Sequence, residues 1–241
     1  PLNTLDEIFA YLEAADKPCV VAIDEFQQIG TYEEKNVEAL LRSKIQQCKQ
    51  TVFIFSGSKR HVMSNMFNSS SKPFYQSVIS MGLAPISMEV YADFATRLFE
   101  ERGKRIEREL VKRVYEAFDG YTWFVQMLMN ELFSMTAHDE LCGMDKFETA
   151  FRNVVWVQEP SYKELLSNLS TKQRVLLQAI AKEGVAKNIT SAAFIKKYNL
   201  QSASSVQSAL KPLLKHDWVI LSEEGYRVYD YFFSHWLAKE Y

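Results

Sequence analysis

Apolar and polar positions follow different periods along the chain, and the changes of period divide it into three segments. In residues 1–90, apolar positions at helical spacing predict helices over about 4–15 and 33–49. Two short apolar runs predict strands at 19–23 and 51–55, of the kind that are buried on both faces. The order helix, strand, helix, strand predicts a parallel sheet with helical crossovers.

The other two segments predict different architectures. Four apolar stripes at helical spacing in residues 91–155, joined by short Gly-containing connections, predict a compact antiparallel bundle. In residues 156–241, Pro160 predicts the start of a helix, and three further helices precede two strands joined by a Glu-Glu-Gly turn. That order is the winged form of the helix-turn-helix. The predicted fold class is therefore α/β, then all-α, then winged helix.

Composition is typical of a soluble globular protein and argues against a membrane-spanning or strongly nucleic-acid-binding one. The 47% apolar and 24% charged residues are typical of a soluble globular protein, and the net charge of −2 gives no general attraction to nucleic acid or anionic membranes. No apolar run approaches the roughly 18 residues of a membrane span, and no signal segment is visible. Three cysteines without metal-like spacing favour a reduced, cytoplasmic protein. Because the sequence opens on Pro1 rather than Met, we expect a fragment of a longer chain.

Two adjacent carboxylates, Asp24 and Glu25, follow the first predicted strand. Open α/β sheets bind their ligands at the carboxyl ends of the strands. A nucleotide hydrolase needs such a pair there, one carboxylate to hold Mg²⁺ through its water shell and the next to orient and polarise an attacking water. An ordinary strand running into a helix with an acidic first turn explains the same residues. The pair alone leaves both interpretations open.

The second predicted strand ends in Ser56, Gly57 and Ser58. In a parallel sheet these residues lie at the same edge as Asp24 and Glu25. Ser58 can donate a hydrogen bond to a phosphate or to the attacking water. Alternatively, the stretch is a glycine turn with a serine cap for the following helix, which is the simpler account of Ser58 alone. Because polar residues follow both neighbouring strands, a ligand-binding site at this edge is favoured over two unrelated turns.

Three stretches, PCVVAIDEF, TVFIFSGSKRHVMSNMF and KPFYQSVISMGLAPIS, resemble in order and spacing the archaeal and bacterial ATPases of the AAA+/STAND group of P-loop NTPases. The resemblance implies that they are a Walker B strand, a sensor-1 strand and the link leading out of the nucleotide-binding domain. It implies three domains: the rear part of that α/β domain in 1–90, a helical lid in 91–155 and a winged helix in 156–241. The stretch DYFFSHW also resembles a closing signature of these ATPases, with Tyr231 in place of a proline.

The resemblance assigns roles to single residues. It implies that Asp24 is the Mg²⁺-associated aspartate, that Glu25 is the catalytic base and that Ser58 is the sensor-1 polar residue, with Ser56 as the alternative. Gly120 resembles the glycine of a lid turn that faces the nucleotide, although Thr122 replaces the expected proline. On sequence alone, a plain helix stop is the favoured account of this glycine. The implied ligands are ATP and Mg²⁺.

The sequence departs from that group in its phosphate-binding chemistry. It contains no Gly-rich loop ending in Gly-Lys-Ser/Thr, and its 8 glycines offer no substitute. Without backbone amides and a lysine around the phosphates, this chain is not expected to bind ATP tightly. We expect either the rear part of a longer ATPase or a degenerate homologue. No arginine follows Pro73-Phe74-Tyr75, which leaves only weak candidates for an arginine finger, namely Lys59, Arg60 and Lys72.

Two functions follow from these patterns. The first is an ATP-driven switch, with ATPase activity expected of the full-length protein and not of this chain alone. The second is a winged-helix DNA-binding regulator or protein-interaction scaffold with a vestigial ATPase domain. The third helix of the winged helix carries only Lys211 and Lys215 as cations, and the wing turn is acidic. This charge favours docking to a protein partner, or to the protein's own ATPase domain, over binding to DNA.

Overall fold

The structure is a computed structural model that describes residues 2–34 and 36–240. The chain divides into two compact units, Pro1–Leu83 and Ala84–Tyr241. Each unit has its own hydrophobic core. None of the helices in the described ranges is long and apolar enough to span a membrane.

The first unit is an α/β segment built on two parallel strands. Its elements in chain order are α1 (Leu2–Ala14), β1 (Cys19–Ile23), a 3₁₀ helix (Phe26–Thr31), α2 (Val37–Gln47), β2 (Thr51–Phe55) and α3 (Arg60–Asn68). The strands pair in parallel with Cys19 opposite Thr51 and Ile23 opposite Phe55. Both strands lie where the sequence predicts them, and the parallel pairing is confirmed. The 3₁₀ helix lies between the predicted strand and the predicted helix, where the pattern indicates neither element.

Only one face of this sheet is covered by the described residues. Four aromatic rings pack on that face with centroids 4.2 to 5.7 Å apart, namely Phe26, Phe55, Phe67 and Phe74. On the opposite face Val20, Val52 and Ile54 are each more than half exposed. The prediction that these strands are buried on both faces is therefore wrong for the described structure, because the helices and the aromatic cluster all pack on one side.

The second unit begins with four helices. These are α4 (Met88–Glu100), α5 (Arg108–Ala117), α6 (Thr122–Ser134) and α7 (Phe147–Ser167). Two strands of two residues each, β3 (Arg105–Ile106) and β4 (Leu141–Cys142), pair in parallel between them. The sequence pattern does not predict these strands, because two residues are too few to show a period of two.

The helix α7 joins the helical segment to the winged helix without a break. Its 21 residues include Pro160, so the predicted helix start at Pro160 is wrong. Pro160 removes the hydrogen bond to the carbonyl of Trp156, and the residue Trp156 is 74% exposed, so solvent can replace the lost donor. The predicted domain boundary between residues 155 and 156 thus falls inside one helix, and a single continuous core extends across it.

The last part of the chain is a winged helix. It comprises α8 (Thr171–Glu183), α9 (Ala192–Lys197), α10 (Ala203–Lys215), β5 (Val219–Leu221), β6 (Tyr226–Val228) and α11 (Tyr231–Glu240). The strands β5 and β6 form the antiparallel wing, and Ala186 adds a bridge to Tyr226. A capping box between Ser170 and Gln173 fixes the start of α8. The predicted order of helices followed by a hairpin is confirmed.

Candidate functional site

The polar residues that follow β1 and β2 meet at one edge of the sheet. Because the strands are parallel and in register, Asp24 and Glu25 emerge beside Ser56 and Ser58. Ser56 Oγ donates a hydrogen bond to Asp24 Oδ1 at 2.5 Å, and Ser58 Oγ donates one to Glu25 Oε2 at 3.0 Å. Backbone bonds join the same ends, since Phe26 N donates to the Ser56 carbonyl at 2.9 Å. The four predicted residues of this edge therefore form one hydrogen-bonded group.

Asp24 is an exposed carboxylate that is stabilised in its charged form. Its Oδ1 accepts the Ser56 hydroxyl and also the backbone N–H of Glu25, at 2.9 Å. These two bonds, the serine's first, lower the pKa of Asp24 below the ordinary 3.8. Its Oδ2 accepts no hydrogen bond from the described residues and remains available to a ligand.

Glu25 adopts a backbone conformation that is unusual for a glutamate. Its φ of 49° and ψ of 39° lie in the left-handed region. Holding a non-glycine residue there costs on the order of 1 kcal/mol, and such conformations cluster at functional sites. The side chain accepts two hydrogen bonds through Oε2, from Ser58 and from Gln27, while no described residue donates to Oε1. One carboxylate oxygen is thus anchored and the other is free.

Gln27 belongs to this group, although the sequence pattern does not single it out. It is one of the buried polar residues of the described chain, with 4% of its surface exposed. Its Nε2 donates to Glu25 Oε2 and lies 3.5 Å from Ser58 Oγ. The sequence gives no periodic signal here, because the residues after β1 form a short 3₁₀ helix in which side-chain directions do not follow the period of a strand or of an α-helix.

Gly57 leaves room for the side chains of Gln27 and Met63 beside the end of β2. A Cβ at this position would lie 2.2 Å from Gln27 Oε1 and 2.7 Å from Met63 Sδ. Any larger residue would push the Gln27 amide away from Glu25. The glycine of the Ser-Gly-Ser stretch therefore leaves the space in which the Gln27 amide contacts the candidate site.

Side chains that could ligate a metal directly are few at this edge. No cluster of three or more His, Cys, Asp or Glu side chains suited to a metal exists in the described ranges. Lys72, a candidate arginine-finger substitute, instead forms an ion pair with Glu38 at 3.3 Å. The edge supplies carboxylates and hydroxyls, which suit a hydrated cation and a water, and the same residues offer no cradle for phosphates.

Gly120, the fifth predicted site residue, lies in the second unit, between α5 and α6. Its φ of +71° favours glycine, and a Cβ there would lie 2.5 Å from the Tyr115 hydroxyl oxygen. That hydroxyl donates to the Ile86 carbonyl at 2.6 Å. These contacts give Gly120 a packing role within its own unit, and its predicted role in nucleotide binding stays a prediction.

Comparisons with known proteins agree with this architecture. Residues 160–239 match the model of a family described as a probable winged helix domain. No curated protein matches the sequence. Among solved structures, the Walker-type ATPase PABY2304 of Pyrococcus abyssi matches 97% of this chain with a TM-score of 0.65 and 18% identity. Two variants of RuvB from Thermotoga maritima match 95% of this chain with TM-scores of 0.50 and 16% identity.

These likenesses show the fold. The chain contains a small parallel sheet, a helical segment and a C-terminal winged helix, and in fold it is similar to the Pyrococcus abyssi ATPase and to RuvB. It spans 66% of the length of the Pyrococcus abyssi chain and 73% of the RuvB chains. The fold thus agrees with the architecture that the sequence resemblance implies.

Proposed function

We propose that this chain carries the water-activating half of an ATP-hydrolysing site, in a switch protein of the AAA+/STAND type. One observation carries the proposal: the hydroxyls of Ser56 and Ser58, at the end of β2, hydrogen-bond to the carboxylates of Asp24 and Glu25, at the end of β1. This is the ligand-binding edge of a parallel sheet. A helix with an acidic first turn does not explain the group, since Glu25 caps a 3₁₀ helix without a side-chain cap bond.

Asp24 fits the role of a Mg²⁺-associated carboxylate. Its lowered pKa keeps it charged at neutral pH, and Oδ2 is free to accept a hydrogen bond from a metal-bound water. Mg²⁺ usually retains several waters and binds through one or two carboxylates together with substrate phosphates. When bound, the ion supplies neutralisation of the phosphate charge.

Glu25 fits the role of the base. Its free Oε1 can accept a proton from a water, while its anchored Oε2 fixes the direction of the carboxylate. The Ser58 hydroxyl donates to that anchored oxygen, so Ser58 helps to orient the carboxylate of Glu25. Orientation of the attacking water by such a residue is a main protein contribution to phosphoryl transfer.

The phosphate-binding half is expected on another segment, and the surface of the first unit supports this. Val20, Val52 and Ile54 form an exposed apolar sheet face, although parallel sheets are normally covered on both sides. The extended stretch 79–83 exposes Ile79, Met81 and Leu83 almost fully, and its backbone groups form no backbone hydrogen bond with described residues. Both features suit packing against a further strand–helix unit that carries the missing loop.

The proposal is tested first on the upstream gene sequence and on the chain itself. We expect a Gly-x-x-x-x-Gly-Lys-Ser/Thr motif within about 60 residues upstream of Pro1, the span of one strand-loop-helix-strand unit. The protein with that segment should hydrolyse ATP, and the 241-residue chain should show no hydrolysis above background. Absence of the motif would end the ATPase hypothesis in favour of the vestigial scaffold.

The winged helix is proposed to dock onto protein, either a partner or the ATPase domain, rather than onto DNA. Its helix α10 contains Lys211 and Lys215 as its cations, and the wing turn carries Glu223 and Glu224. Affinity for DNA comes mainly from neutralised phosphates, which this surface is poorly equipped to provide. A gel shift with duplex DNA whose affinity falls steeply with salt would contradict this proposal.

A further inference from the structure

Gln27 is a buried amide whose hydrogen bonds end on the candidate base. It follows Phe26, which is 1% exposed and packs in the aromatic cluster, so the backbone at this point is fixed by the core. The amide Nε2 donates to Glu25 Oε2 and lies within 3.5 Å of Ser58 Oγ. We propose that Gln27 is a positioning residue that aims the carboxylate of Glu25. This inference rests on the proposed function, in which Glu25 is the base.

The hydrogen bonds fix which carboxylate oxygen acts. Ser58 and Gln27 both donate to Oε2, and Oε1 receives no donor from the described residues. A carboxylate held at one oxygen by two donors from different parts of the chain cannot rotate freely, so its second oxygen keeps a fixed direction. A general base needs such a free, directed lone pair. Oε1 of Glu25 is therefore the proton acceptor.

The orientation of the Gln27 amide is determined by its surroundings. Only the NH₂ group can donate to a carboxylate, so Nε2 must face Glu25 and Oε1 must face the Ser56–Ser58 turn. There Oε1 is buried and has no hydrogen-bond partner among the described residues. The absence of a side chain on Gly57 leaves the space that Oε1 occupies.

Packing alone does not explain a glutamine at this position. A buried amide with an unpaired oxygen destabilises a fold, and an apolar side chain of similar length would avoid that cost. The polar side chain therefore contributes something other than stability. The contribution visible in the structure is the hydrogen bond to Glu25.

The test replaces the amide by an apolar side chain of similar length. Gln27→Met and the matched control Gln28→Met, at an exposed neighbouring glutamine, are made in the protein that includes the phosphate-binding segment. We expect Gln27→Met to lower kcat at least tenfold and to leave KM and the ATP dissociation constant within about twofold, because misdirection of a base impairs chemistry and not binding. Gln28→Met should leave all three unchanged.

A double-mutant cycle with Glu25→Gln separates positioning from a purely structural role. If Gln27 acts through Glu25, Gln27→Met causes no further loss in single-turnover rate once Glu25 is replaced. An equal loss in both backgrounds, or a kcat within twofold of wild type for Gln27→Met, would overturn the inference. If Glu25→Gln alone leaves turnover unchanged, the proposed function fails instead, so the two failures are distinguishable.

A second measurement requires no change at Gln27. In the 241-residue chain, the side-chain amide of Gln27 gives a ¹H–¹⁵N resonance that reports its acceptor. Replacing the charged acceptor in Glu25→Gln should shift this resonance strongly, and Gln28 should not respond. An unmoved Gln27 resonance would contradict the inference even if Gln27→Met failed to fold.

Discussion

Ser56 Oγ lies 2.5 Å from Asp24 Oδ1, and this hydrogen bond joins the ends of two strands that are 32 residues apart in the sequence. The serine is the largest cause of the lowered pKa of Asp24, and the Glu25 backbone N–H is the second. Ser56 therefore changes the pKa of Asp24, although the two residues follow different strands. The consequences of that contact are measurable in the isolated chain.

Ser56→Ala should raise the pKa of Asp24 toward its ordinary value of 3.8. In the wild type the folded-state pKa is depressed, so the stability linked to Asp24 is present above the unfolded pKa and is lost as pH falls through the folded pKa. A carboxyl NMR titration measures both proteins directly. An Asp24 midpoint at or above 3.8 in the wild type, or no upward shift in Ser56→Ala, would contradict the hydrogen bond.

Gly57→Ala should destabilise the first unit by about 1 to 3 kcal/mol, the usual cost of forcing an extra carbon into a packed site. The new Cβ would meet Gln27 Oε1 and Met63 Sδ below 3.0 Å. Gly82→Ala is the matched control, since nothing lies within 4 Å of that position. Hydrogen exchange of the β1 and β2 amides reports this unit. Equal protection in the two variants would show that the turn is not tightly packed.

Asp119→Ala should destabilise the second unit by about 1 to 3 kcal/mol, because it leaves a largely buried guanidinium unpaired. Asp119 Oδ2 accepts bonds from Arg227 Nη1 at 2.8 Å and from the Tyr231 hydroxyl at 2.6 Å, and so ties the α5–α6 turn to the winged helix. All four tryptophans lie in this unit, so fluorescence-detected unfolding reports it.

The control for that prediction is Asp93→Ala, which removes one partner of the exposed Arg108. Exposed ion pairs contribute about 0 to 1 kcal/mol, and Arg108 retains Glu89. If Asp119→Ala lowers the free energy of unfolding no more than Asp93→Ala does, the contact between the α5–α6 turn and the winged helix does not stabilise the unit.

Ile54→Thr should change the stability of the isolated chain by no more than about 0.5 kcal/mol, because Ile54 lies on the exposed sheet face. Phe74→Ala, on the covered face, should cost about 3 to 5 kcal/mol. Chemical denaturation followed by circular dichroism compares them. A large decrease in the free energy of unfolding of Ile54→Thr would show that this sheet face is covered in solution.

The strands and the winged helix were predictable from the sequence because each has a strong local signal. The run of apolar residues in β1 is bounded by Pro18 and Asp24, and β2 is bounded by the Ser-Gly-Ser turn, so both strands have the predicted ends. Parallel pairing then brings Asp24 and Glu25 beside Ser56 and Ser58. That part of the candidate site follows from topology alone.

Other features depend on contacts that no local pattern encodes. Gln27 joins the site because the 3₁₀ helix turns its amide back toward Glu25, which only the folded chain shows. Pro160 lies inside α7, where packing on the core outweighs its preference for a helix start. The sequence pattern did not predict that one face of β1 and β2 is exposed. An apolar run shows that a strand can be buried on both faces, but it does not show whether another element covers each face.

The central claim is that Glu25 is the base of an ATP-hydrolysing site. It is tested most directly by single-turnover ATP hydrolysis of the Glu25→Gln variant in the protein that includes the phosphate-binding segment, with ATP binding measured in parallel. We predict that Glu25→Gln binds ATP as the wild type does and hydrolyses it at least a hundredfold more slowly, since it keeps the side-chain shape and removes the proton acceptor. Hydrolysis at the wild-type rate would contradict the claim.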